Sequence, residues 1–179
     1  LILDADKRHI PLASLSPEIA QRSITLLAPS KTFNIPGLGC AFAVIPNPAL
    51  RRQFERAMHG IVPHVNVLGL AACEAAFRDG GDWHRELIAY LRGNRDRVAA
   101  TMASLPGVRI APVEATYLAW IDVRDLRLAN PAAHFEAHGI GLSDGSDFGA
   151  PGWLRLNFGC PRVTLDEALT RFERAVRAA

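Results

Sequence analysis

Apolar positions along the chain follow two different periods. Leu87, Leu91, Val98, Met102 and Leu105 recur at helical spacing, which predicts a long helix over 82–105 with Asp82 as its cap. Leu165, Leu169, Phe172 and Val176 repeat the pattern near the C-terminus, where Thr164-Leu165-Asp166-Glu167 reads as a capping box opening the last helix. Between them the period shortens. The run Trp-Leu-Arg-Leu-Asn-Phe over 153–158 alternates as a strand does, and 108–111 and 116–121 also read as strands. Asn130-Pro131 starts a short helix that Gly139 ends, 140–142 reads as a short strand, and 143–152 is a glycine-containing loop. From about residue 106 onward this is a compact α+β lobe.

The first half is built differently. Ser16-Pro17-Glu18 opens a short helix, with Ser16 as N-cap and Pro17 in its first turn. Residues 23–27 and 40–45 are apolar runs short enough to be buried strands, and the loop between them contains Pro36-Gly37. Asn47-Pro48 caps a helix to about His59 that carries Phe54 and Met58 on one face. The helix over 67–77 is small and apolar on most sides and reads as buried. Two strands make a marginal sheet, so this lobe looks incomplete. An incomplete lobe leaves apolar surface on 67–77 for another half or a second subunit to cover.

Composition narrows the function classes. Hydrophobic residues make up 49% and charged residues 21%, as in an ordinary globular protein. No apolar stretch approaches a membrane span. The net charge is +2 with charges interspersed, and no basic stripe suggests a nucleic-acid binder. Cys40, Cys73 and Cys160 have no paired spacing, which argues for small buried hydrophobes in a reducing, cytoplasmic compartment. The chain begins Leu1-Ile2-Leu3-Asp4 and reads like the middle of a protein.

Only Lys7 and Lys31 accompany eighteen arginines. An amine can form an imine with a carbonyl cofactor and a guanidinium cannot. Lys7 lies in a polar run and reads as surface. Lys31 follows a β-prone run; at a buried strand end it would be a nucleophilic amine, and otherwise a surface loop lysine. His134 and His138 stand four apart but have no third ligand nearby, so a solvated helix face is the better reading and no metal site is expected.

The segment Leu27-Ala28-Pro29-Ser30-Lys31-Thr32-Phe33-Asn34-Ile35-Pro36-Gly37-Leu38-Gly39 resembles the cofactor-lysine segment of class I/II aminotransferases, which are fold type I pyridoxal-phosphate enzymes. Asn66-Val67-Leu68-Gly69, Trp83, Tyr90-Leu91, Asn94, Ala115-Thr116-Tyr117-Leu118-Ala119-Trp120 and Leu142-Ser143-Asp144-Gly145 continue the likeness in order. Arg155-Leu156-Asn157-Phe158-Gly159-Cys160-Pro161-Arg162 is its most specific stretch. Within the superfamily the chain resembles the cystathionine β-lyase branch, the C–S lyases of MalY/PatB type.

The resemblance implies an α/β fold: the C-terminal portion of a fold type I enzyme. It assigns 1–81 to the incomplete end of a large cofactor-binding domain, 82–105 to a linking helix and 106–179 to a small α+β domain. It makes Lys31 the lysine that binds pyridoxal 5'-phosphate and then acts as general base at Cα. Arg155, otherwise an outward-facing strand arginine, would bind the substrate α-carboxylate through its planar fork. Ser30 would touch the cofactor phosphate or orient Lys31, or be a turn serine. Tyr117 would line the substrate pocket or pack on its strand. Arg162 reads as a surface arginine before a helix.

Two positions where relatives grip phosphate, with Ser and a basic residue, are here Ala28 and Gly39. The aspartate that pairs with the pyridine nitrogen is expected before Leu1, and Asp4 and Asp6 do not fit its motif. The implied reaction is αβ-elimination on cysteine-type amino acids, to a thiol, pyruvate and ammonia. Transamination is the alternative, and a non-catalytic fragment is the third reading. The implied partners are an amino-acid substrate, a second copy in a homodimer and the N-terminal half of the same enzyme.

Overall fold

Three helix starts use one device. Ser16, Asn47 and Asn130 each precede a proline, and each side-chain oxygen accepts a backbone N–H of the first turn. Ser16 takes that of Ile19 at 3.1 Å, Asn47 that of Ala49 at 2.9 Å and Asn130 that of Ala133 at 3.0 Å. The helices that follow are α1 (Pro17–Gln21), α2 (Pro48–Met58) and α5 (Pro131–Ala137), numbered in chain order. The computed structural model describes all residues, Leu1–Ala179. Two compact units emerge: Arg8–Glu86, and Leu1–Lys7 together with Leu87–Ala179. The division falls inside α4 (Gly81–Ala103).

The unit Arg8–Glu86 holds α1, α2, α3 (Val67–Asp79) and one antiparallel ribbon of β1 (Thr25–Leu27) with β2 (Phe42–Val44), in which Thr25 faces Val44. The expectation of buried strands is not met. Leu26 is 69% exposed, and Phe42 and Val44 are also exposed, because a two-stranded ribbon has two faces and this unit buries neither. Nor is α3 a buried helix here: only Gly69 is buried, while Val67 and Leu68 are 76% and 67% exposed. That is the apolar surface expected of an incomplete lobe.

The other unit has a four-stranded antiparallel sheet in the order β3 (Arg109–Ile110), β4 (Leu118–Asp122), β6 (Trp153–Asn157), β5 (Ser143–Asp144). Ala119, Ile121, Leu154 and Leu156 point to one face. There they meet Leu91, Val98 and Met102 of α4, Phe135 of α5, and Leu165, Leu169 and Phe172 of α6 (Arg162–Arg177). The helical period of α4 and α6 therefore marked the core correctly. Leu3 is fully buried in the same core, and Ile2 bridges Ala115. Leu1–Lys7 thus packs with Leu87–Ala179 in one compact unit.

Two boundaries differ from the sequence pattern. The short strand falls at Ser143–Asp144 rather than 140–142, since Ile140 turns into the core and Ser143 pairs with Arg155. The last helix starts at Arg162 with Pro161 as its cap, so the expected capping box at Thr164 does not form. Pro161 fixes an extended entry, and the Arg162 N–H is taken by the Tyr90 hydroxyl at 2.7 Å.

Candidate active site

Lys31 lies in the turn that follows β1. The Phe33 N–H donates to the Pro29 carbonyl at 2.9 Å and the Ile35 N–H to the Ser30 carbonyl at 3.1 Å, so the backbone wraps tightly around Lys31. Asn34 holds a φ of 53°, a left-handed conformation that asparagine tolerates better than most residues. Phe33 fixes the turn to its unit by packing on Phe77 at 5.7 Å and Trp83 at 5.9 Å between ring centroids. Gly80 permits this, since a Cβ there would lie 2.7 Å from the Phe33 ring. The Lys31 side chain is exposed, as in the surface-loop reading and not at a buried strand end, because β1 itself is exposed. Lys7 is the lysine held in an ion pair, with Glu114 at 3.3 Å; Lys31 is in none.

The loop beyond Lys31 is clamped by α3. Asn66, the N-cap of α3, accepts the Gly69 N–H at 2.8 Å and donates through Nδ2 to the Leu38 carbonyl at 3.0 Å. A Cβ on Gly69 would sit 2.5 Å from that same Leu38 oxygen. The Asn66-Val67-Leu68-Gly69 motif thus serves the Lys31 loop at a distance of about 30 residues in sequence, a role its spacing did not announce. Gly39 ends the loop at a φ of 58°, a left-handed conformation that glycine adopts without the strain a side chain would bring.

In the second unit Arg155 occupies the sheet face opposite the core. It is in register with Trp120 on one side and Ser143 on the other. One Nη donates to the Ser143 hydroxyl at 3.1 Å, and the guanidinium lies over the Phe148 ring at 4.7 Å. No carboxylate pairs with Arg155, whereas nearby Arg109 and Arg124 both bind Asp122. Arg155 is thus oriented, half-buried and free to take an anion. Tyr117 precedes β4 and packs its ring against Gly159, where a Cβ would be 3.1 Å away. Lys31 and Ser30 fall in one unit and Arg155 and Tyr117 in the other.

Arg162 is not a free surface arginine. Its guanidinium stacks on Tyr90 at 4.8 Å, and its Nε donates to Asn94 Oδ1 at 3.2 Å. Asn94 is wholly buried in α4 and donates to the carbonyls of Phe158 at 2.9 Å and Cys160 at 3.0 Å. Together these hold the loop that leaves β6 just after Arg155. The signal was legible: Asn94 is the polar residue in the apolar stripe between Leu91 and Val98. His134 and His138 are structural as well. Nε2 of His134 is 2.9 Å from the Ala175 carbonyl, and no group of side chains is arranged to hold a metal.

Asp122 closes β4 nearly buried. The Arg124 side chain at 2.9 Å holds its carboxyl well below the usual carboxylate range. Burial opposes the shift, and the Arg124 N–H and Arg109 reinforce it. Asp4 is engaged by Arg95 and is not a free carboxylate. Burial pushes the Cys160 thiol up.

The family model for aminotransferase class I and II matches residues 4–172. Cystathionine beta-lyase PatB of Bacillus subtilis is 34% identical over 176 residues, which are 94% of this chain and 46% of that protein. Among solved structures, OvoB superposes with a TM-score of 0.97 at 51% identity, covering 100% of this chain and 47% of that one. Cystalysin of Treponema denticola, whose crystal contains a pyridoxal 5'-phosphate cofactor, superposes with a TM-score of 0.91 at 29% identity, covering 99% and 47%. The chain spans about half the length of the relatives it matches. The match extends over the C-terminal portion of the fold type I architecture, as the resemblance implied.

Proposed function

The chain belongs to the class I and II aminotransferase family, and from that premise we propose that it carries the lysine and the carboxylate-binding arginine of a pyridoxal-phosphate-dependent C–S β-lyase. The observation that carries the proposal is Arg155, oriented by Ser143 and Phe148 and lacking an acidic partner. The lyase reading is preferred to the aminotransferase one because relatives at 33–34% identity bear the name cystathionine beta-lyase.

The chain's residues fit the cofactor. Lys31 offers an exposed amine on a rigid turn with no carboxylate competing for it, which suits an aldehyde. When bound, pyridoxal phosphate supplies that aldehyde and a conjugated ring that withdraws electrons from Cα. Lys31 anchors the group and, once released, holds and moves the proton at Cα. Ser30, adjacent in the turn, serves the phosphate or the lysine. Arg155 takes the substrate carboxylate through two parallel N–H donors, and Phe148 beneath the guanidinium keeps water from one of its faces. Tyr117 borders the substrate pocket. In this reading 1–81 and 106–179 derive from the large and small domains, joined by 82–105.

A carboxylate for the ring nitrogen is not supplied by Asp4, which Arg95 engages, so the isolated chain is inactive in this account. Exposed Val67, Leu68, Leu70 and Phe77 of α3, and an apolar groove of about 1030 Å³ lined by Leu26, Phe42, Phe54, Met58 and Val62, support association with an N-terminal half or a second copy. Three free cysteines suit a cytoplasmic setting.

The test is to co-express the chain with the half of PatB that it does not cover, and to supply cystathionine. Release of homocysteine, pyruvate and ammonia supports the lyase; an oxo acid that retains its sulfur supports transamination.

A further inference from the structure

The contact between α3 and the segment that follows Lys31 is continuous. At one end Asn66 and Gly69 meet the Leu38 carbonyl; at the other, Phe77 meets Phe42 edge-on at 6.0 Å. Cys73 lies four residues after Gly69 and four before Phe77, on the same helix face. Cys40 lies two residues after Leu38 and two before Phe42. Gly69 and Phe77 thus bracket Cys73 on the helix as Leu38 and Phe42 bracket Cys40 on the segment, and the Cys40 thiol is the hydrogen-bonding neighbour of Cys73. Cys40 therefore faces Cys73 midway along the contact. Cys40 is buried, Cys73 is half-buried, and both are free thiols. A disulfide spans Cα separations of only about 4.4–6.8 Å, and one turn from Cys73 helix and segment are in direct contact, at Gly69 and Leu38.

We propose that Cys40 and Cys73 form a redox-active dithiol that closes to an intramolecular disulfide under peroxide, stapling the segment beyond Lys31 to α3. The more accessible Cys73 thiolate attacks a peroxide oxygen, breaking the O–O bond and giving a sulfenic acid and water. The Cys40 sulfur then attacks the Cys73 sulfur and expels the second water. Two thiols lose two electrons and two protons, and one peroxide is reduced to two waters. Burial, with Cys40 as neighbour, pushes the Cys73 thiol up, so Cys73 is protonated near neutrality and reacts faster as pH rises. This inference does not depend on the lyase reading.

The test is hydrogen peroxide on the 179-residue chain, followed by alkylation and a non-reducing tryptic map. The expected result is loss of two of the three thiols, a joined pair of peptides 32–51 and 57–78, and an alkylated Cys160. Dithiothreitol separates the pair. Cys160→Ser keeps the link and Cys73→Ser loses it. Linkage through Cys160, a disulfide between two chains, or sulfinic acid at Cys73 without any link would overturn the proposal, and the wild-type map alone decides if a variant fails to fold.

Discussion

Arg162 donates to Asn94 at 3.2 Å, and through that bond the first residue of α6 reaches the buried amide that fastens the end of β6. The fold thus builds its second unit around a polar knot set in an apolar helix face. Asn94 uses both amide hydrogens and its oxygen, so replacing it strands buried carbonyls rather than merely losing a contact. Asn94→Leu should destabilise the chain by about 2 kcal/mol, read as a lower urea midpoint at unchanged slope. An unchanged midpoint would mean the carbonyls of Phe158 and Cys160 find other donors.

Asp122 gives a pH dependence with a definite sign. Its carboxyl is depressed in the folded chain, so its contribution is fully present above the unfolded carboxylate value and fades as pH falls through the folded one. Arg109 and Arg124 are more than half exposed, which limits the loss in Asp122→Asn to about 1–2 kcal/mol. Urea midpoints of wild type and variant should differ near pH 7, and the difference should narrow steadily as pH falls below about 4. A constant difference down to the lowest pH would remove Asp122 as the titrating group.

Gly69→Ala separates local propensity from packing. Alanine favours a helix by about 1 kcal/mol over glycine. Its Cβ would meet the Leu38 oxygen at 2.5 Å, and backbone cannot yield as a flexible side chain does. The variant should be less stable than wild type by about 1–3 kcal/mol and exchange amide hydrogens faster over 36–40. A stabilised variant would show that α3 does not clamp the Lys31 loop.

Much of this was legible in the sequence because its causes are local. Ser16-Pro17, Asn47-Pro48 and Asn130-Pro131 announced helix starts, and the spacing of Leu165, Leu169, Phe172 and Val176 announced a core face. The misses are tertiary. Thr164 has the pattern of a cap, but the helix starts two residues earlier, where the Arg162 N–H is taken by the Tyr90 hydroxyl from 72 residues back. The strands over 23–27 and 40–45 were apolar enough to be buried, yet burial needs a covering layer that their unit does not supply. Lys31 and Arg155 emerged through resemblance, not spacing: a turn lysine and a strand arginine are ordinary until their partners are known.

Arg155→Ala, in the enzyme complemented with the PatB half, should cost about 2–5 kcal/mol in kcat/KM for amino acids, chiefly through KM. Arg155→Lys should recover only part of it, since an ammonium lacks the planar fork. Cofactor loading should be unchanged. Unaltered kinetics would return Arg155 to a purely structural role on Phe148 and Ser143.

In the proposed enzyme Lys31 holds the cofactor. Borohydride reduction of the complemented enzyme loaded with pyridoxal phosphate, followed by tryptic mapping, tests it most directly. One pyridoxyl group is expected, on Lys31, blocking cleavage between Lys31 and Thr32; Lys31→Arg should lose both this label and the visible absorbance of the unreduced enzyme. A label on Lys7, or absorbance and turnover that survive Lys31→Arg, would contradict it.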